Sequence, residues 1–215
     1  MLHLIKKDLL MQKKTGIASF FILIFFSFTF SAFGETGLVI STMAISYMLV
    51  YGAGLLEDKT NSDKMLASLP IRKQTIVLSK YVSVLVYSAY VLIVCLIIRT
   101  AAIQFHIPNF SFPVTPGAAA AAFFSVGLLF SLTFPLIFKF GYAKSRPYNF
   151  LLLFVIAFSG GWIAERWPEG GFAGKFLPDG ELGAGWGAAL ALAVMVVAAA
   201  VSYRISLAFY RSREF

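Results

Sequence analysis

Three Lys-Ser/Thr pairs are the nearest approach to a phosphate-binding loop: Lys14-Thr15, Lys59-Thr60 and Lys144-Ser145. Such a loop needs Gly immediately before the Lys, so that backbone amides can close around the phosphates. Lys13, Asp58 and Ala143 stand there instead, and no nucleotide site is expected in this chain. His3 and His106 are too far apart to form a ligand pair, and a single Cys95 forms no internal disulfide. Cys95 reads as a small packing residue inside an apolar stretch. No catalytic group, metal site or cofactor site is expected. Ion-coupled transport usually places carboxylates at mid-membrane, and the long apolar stretches carry none away from their ends.

The segment with the most side-chain function runs from Glu57 to Thr75. Glu57, Asp58, Asp63 and Arg72 supply charge. Thr60, Asn61 and Ser62 suit a helix N-cap, and Asp63 suits a first turn. Met65, Leu66 and Leu69 fall on one patch of about two helical turns, which Pro70 ends. A helix this short is marginal alone in water, so its apolar patch must be covered. It either docks into a partner's groove or lies against the chain's own helix ends.

The elements around this segment are set by composition. Residues AVILMFWYC make up 59% and charged residues 13% of 215 positions, against about 45–50% and about 25% in soluble domains. That balance excludes disorder and predicts an all-α integral membrane protein of one domain. Six apolar stretches approach the roughly 20 residues a span needs: Ile17–Phe33, Gly37–Leu56, Tyr81–Ile98, Gly117–Phe138, Tyr148–Ala164 and Gly185–Leu207. The first holds 11 Ile, Leu or Phe. It is long for a signal peptide and lacks a closing small-x-small site. Residues 1–16 read as an interfacial helix with four lysines on one arc, or as a basic flank that only orients the chain. The loop at 165–184 is Gly- and Pro-rich and reads as an irregular connection.

Net charge is +8, and the position of the cations explains it. If the spans alternate from an inner N-terminus, fifteen of the 18 Lys and Arg fall on the inner side. They are Lys6, Lys7, Lys13 and Lys14; Lys59, Lys64, Arg72, Lys73 and Lys80; Lys139, Lys144 and Arg146; and Arg204, Arg211 and Arg213. The positive-inside bias therefore puts both termini in the cytoplasm. Trp162, Trp167 and Trp186 fall at the outer boundary as an aromatic belt. The basic charge is topological, and nucleic acid has no support.

Six spans, inner termini, a charged loop after the second span and no nucleotide site resemble the ABC type-2 permease family. The stretch from Leu55 to Tyr81 is the sharper likeness. Its acidic start, Ser68-Leu69-Pro70 turn and Ser79-Lys80-Tyr81 lead into the third span. It resembles the small bacterial branch that includes the phenol-soluble-modulin exporter permeases. The resemblance implies a cytoplasmic-membrane permease that pairs with a second copy or a paralogue. It also implies two copies of a separate ABC ATPase, which carry the ATP and Mg. By the same resemblance Glu57, Asp58, Asp63, Met65, Leu66, Leu69, Pro70 and Arg72 dock the ATPase. Small and polar residues suggest a dimer seam at Ser27, Thr29 and Ser31 and at Ser159, Gly160 and Gly161. A pathway of Phe, Leu and small residues suits amphipathic peptides, toxins or antimicrobial peptides. The alternatives are multidrug or lipid-like cargo, and a non-transporting scaffold or immunity protein.

Overall fold

In bilayer core no water is present to bond free amide and carbonyl groups, so a spanning segment must satisfy them internally, most simply as helix. The computed structural model describes residues 13–60, 73–105, 114–166 and 181–212. Among them lie six α-helices: α1 Lys13–Thr29, α2 Gly34–Thr60, α3 Lys73–Gln104, α4 Pro116–Phe140, α5 Tyr142–Arg166 and α6 Glu181–Ser212. A short 3-10 turn, Ser31–Phe33, links the first two. Four helices are long and apolar enough to cross a membrane: α2 over Gly34–Asp58, α3, α4, and α6 over Leu192–Ser212. The chain is a multi-pass membrane protein. The expected interfacial helix over 1–16 falls largely on 1–12, outside the described residues, and so does the expected coupling helix within 61–72.

The helices overrun the apolar stretches from which they were expected. α3 has 32 residues, about 48 Å at 1.5 Å per residue, against roughly 30 Å of hydrocarbon. Nothing between Lys73 and Tyr81 breaks a helix, so it continues through polar residues. α2 likewise runs on through Glu57 and Asp58 to Thr60, so 57–60 and 73–75 of the loop expected over 57–75 are helical. The first apolar stretch behaves differently. Its helix ends at Thr29, where the Thr29 hydroxyl donates to the Phe25 carbonyl at 2.9 Å and the Ser31 hydroxyl to that of Phe28 at 2.8 Å. Gly34 follows at φ +56, a left-handed value that favours glycine.

The α4–α5 junction is tighter than the nine polar-flanked residues 139–147 suggested. Gly141 alone separates the two helices, at φ +84, and its amide donates to the Ile137 carbonyl at 2.7 Å. Pro147, expected before the fifth span, sits inside α5. At the other end of α4, Thr115 caps the helix by accepting from the Ala118 amide at 3.1 Å, with Pro116 in the first turn.

Contacts between named residues order the helices. Glu57 of α2 meets Lys80 of α3, so these two run antiparallel. Gly127 faces Met195, and Phe138 faces Tyr210, so α4 and α6 run parallel. Glu35 meets Thr115 while Gly54 meets Tyr142, so α2 and α4 share a direction. The C-terminus of α2, the N-terminus of α3, the α4–α5 junction and the C-terminus of α6 therefore gather at one end of the bundle. The buried core runs through Leu38, Leu49, Val77, Val91, Leu129, Phe130 and Phe134. Outward faces are equally apolar, with Phe21, Phe25, Ile93, Phe154 and Val197 exposed. A helix apolar on all sides belongs in lipid.

Candidate functional site

Most polar side chains inside the spans are consumed by their own helices. Ser41 and Thr42 donate to the carbonyls of Gly37 and Leu38, and Ser131 to that of Gly127, all within 2.8 Å. Such back-bonding satisfies a hydroxyl locally and leaves little for a ligand. Among the described residues the side chains that tie one helix to another are few, and most of them gather at the end where α2 and α3 approach their connecting segment.

Glu57 and Lys80 are the centre of that group. The Lys80 ammonium donates to Glu57 Oε2 at 2.5 Å, and the two side chains are 11% and 1% exposed. Position 57 is drawn inside because α2 continues without a break past Leu55 and Leu56. Lys80 lays its methylene stem along α3 and brings its charge to the carboxylate. A buried charge is tolerable only when paired and hydrogen-bonded. The pair therefore braces the two feet from which the 61–72 segment springs.

Each foot is tied to a further helix. One residue after Lys80, the Tyr81 hydroxyl bonds Ser202 Oγ at 2.7 Å and Ser206 Oγ at 3.1 Å on α6. Its ring lies 4.6 Å from that of Phe134 on α4. Lys73, at the start of α3, donates to the Arg211 carbonyl at 3.4 Å, one of the orphan carbonyls at the end of α6. On the α2 side, the Tyr51 hydroxyl donates to the Tyr142 carbonyl and lies 3.2 Å from Ser145 Oγ. Three residues on, Gly54 lies flat against the Tyr142 ring, where an added Cβ would stand 1.9 Å from Cε1. Only glycine admits that approach.

Of the residues expected to dock an ATPase, Asp63, Met65, Leu66, Leu69, Pro70 and Arg72 lie outside the described residues. Glu57 and Asp58 occupy the last turn and a half of α2, Glu57 buried and Asp58 half-buried. The Glu57 carboxylate faces Lys80 and not the outer surface. The expected seam residues divide. Ser27 is wholly buried within the single chain, whereas Thr29 is exposed and Ser31 half-buried. Ser159, Gly160 and Gly161 lie on α5. Among the described residues no group of His, Cys, Asp and Glu could hold a metal ion. Cys95 is buried.

Sequence reasoning gave no role to Tyr51, Gly54 or Tyr142, and read Lys80 and Tyr81 only as an inner cation and as part of the Ser79-Lys80-Tyr81 entry to the third span. The signal for Lys80 was present: a lone cation just before an apolar run needs an opposite charge within reach, and Glu57 closes the preceding run. Gly54 and Tyr142 carry no comparable signal, because their contact joins helices 88 positions apart.

Residues 3–211 match the family described as ABC-2 family transporter protein. Neither a curated protein nor a solved structure matches the chain. The match spans nearly the whole length and agrees with helices long and apolar enough to cross a membrane. An ABC ATPase is the general partner of permeases of this kind. The chain belongs to the ABC-2 transporter family.

Proposed function

We propose that the chain is the permease subunit of an ATP-driven exporter in the bacterial cytoplasmic membrane, from the branch that serves amphipathic, antimicrobial or toxin-like peptides. Two copies, each with one ABC ATPase, form the working unit. The permease supplies no ATP site, and ATP and Mg reside on the ATPase pair. The basic end of the bundle faces the cytoplasm. The single observation that carries this reading is the Glu57–Lys80 brace at the feet of the 61–72 segment.

A push on that segment reaches Thr60 on one side and Lys73 on the other. Because Glu57 and Lys80 lock these feet together, α2 and α3 respond as one body. Tyr51 and Gly54 hand the displacement of α2 to α5 at Tyr142, and Tyr81 hands that of α3 to α6 at Ser202 and Ser206. One short docking segment thus addresses four helices, as rocking between inward- and outward-open states requires. ATP biases that equilibrium only through its preference for the closed ATPase pair.

Replacing Leu66 and Leu69 together by Asp tests the docking step. The variant should insert normally and lose co-purification of its ATPase. A complex retained at the original yield refutes the docking role of Leu66 and Leu69.

A further inference from the structure

At the opposite end of the bundle, α2, α4 and α5 enclose a cavity of about 250 Å³. Its lining is apolar over most of its surface. Val39, Ile40 and Met43 come from α2, Ala118 and Ala121 from α4, and Ile156 from α5. Gly117 and the alanines after it keep the α4 wall thin, and exposed Gly117 and Ala121 leave the cavity open to the surface. One charged residue stands in the lining, Glu35, at the start of α2.

Glu35 is positioned and only partly used. Its Oε1 accepts the Thr115 hydroxyl at 2.8 Å, and Thr115 is itself fixed as the cap of α4. A carboxylate has about four acceptor sites, so most of its capacity remains. Arg99, the nearby cation at this end, donates to the Val114 carbonyl at 2.9 Å. Among the described residues no Lys or Arg pairs with Glu35. From Glu35 to Met43 the lining descends eight positions of helix, about 12 Å. The site is an anion at the mouth and a narrow apolar shaft beneath it.

We propose that this cavity binds the ammonium end of a cationic amphiphile, with the cation on Glu35 and the apolar body between α2, α4 and α5. The assignment rests on the export reading above and narrows its substrate class. Charge complementarity selects a cation over an anionic lipid headgroup. Size selects a slender chain, because the cavity is smaller than the roughly 300–1,000 Å³ of sites that enclose a drug-sized molecule. Depth agrees as well: an amphiphile in the leaflet keeps its ammonium at the interface, where the terminus of α2 lies, and its tail below.

The test uses the full chain in lipid nanodiscs without ATPase, carrying Ala121→Cys, because the native Cys95 is buried. The readout is the rate of labelling by N-ethylmaleimide. Dodecylamine should slow labelling at concentrations where dodecanol does not. Glu35→Gln, which keeps the shape and the Thr115 contact, should raise the protecting concentration by about tenfold, the loss of one charge-assisted bond. Ser125 lines the shaft on α4 one turn beyond Ala121, and Ser125→Leu, which fills the shaft, should abolish protection with Glu35 intact. Equal protection by dodecanol, or no change in Glu35→Gln, overturns the site. Since no ATPase is present, such a failure is separable from a failure of docking by Leu66 and Leu69.

Discussion

Glu57 and Lys80 matter as a pair far more than singly. Removing one partner leaves the other charged and buried, which costs about 3–5 kcal/mol, whereas replacing both by apolar residues of similar volume is often nearly neutral. Glu57→Gln or Lys80→Met alone should therefore lower the thermal midpoint of the purified chain, and Glu57→Leu with Lys80→Met should largely restore it. ATPase stimulation should part company with stability. The apolar double variant should fold yet stimulate poorly, because a greasy contact lets the two feet slide where an ion pair fixes their register. Full stimulation by the double variant would show that the brace has no part in coupling. Reasoning from sequence reached the residues with a local signature. Glu57 and Asp58 at the charged end of one apolar run, and Ser79-Lys80-Tyr81 at the entry to the next, announce themselves. Tyr51 and Tyr142 do not, since a hydroxyl donating to a carbonyl 91 positions away has no trace in either neighbourhood.

Among the elements, the α2–α5 contact is the most sensitive to volume. Gly54 and Tyr142 leave no room for a methyl group, and overpacking of this kind costs about 1–3 kcal/mol. Gly54→Ala should lower the thermal midpoint clearly. Gly16→Ala on α1, where nothing lies within 4 Å of the added carbon, should leave it level or raise it slightly through better helix propensity. Equal effects at both sites would mean that the α2–α5 approach is not tight. The middles of the helices were legible in the sequence because apolar length reports the thickness of lipid. Their ends were not. A helix stops where capping and backbone conformation stop it, and α3 passes Lys80 and Lys73 without interruption while α4 ends at one left-handed glycine. Hydropathy sees the slab and is blind to the rod that projects from it.

For the whole molecule, the distribution of charge makes the orientation measurable. Lys73, Lys80, Lys139, Lys144, Arg146 and Arg211 gather at the end that holds the α4–α5 junction, and Phe33, Glu35 and Thr115 lie at the other. With Cys95 out of reach, Lys144→Cys in intact cells should label with a membrane-impermeant maleimide only after lysis, and Phe33→Cys before it. The reverse pattern would turn the protein over and move the 61–72 segment out of contact with any cytoplasmic partner.

The unbroken run of α3 from Lys73 to Gln104 has one more effect, on rotation. Each residue added to a helix turns everything beyond it by about 100° and shifts it by about 1.5 Å. The span and the segment hanging from its foot are thus keyed like a splined shaft. A single insertion between Gln74 and Ser79 would swing the foot round by more than a quarter-turn. Additions of about seven or about eleven residues, each with a drift near 20°, would return it near the same azimuth. Natural length variation in this shaft should come in such near-whole sets of turns or be absent.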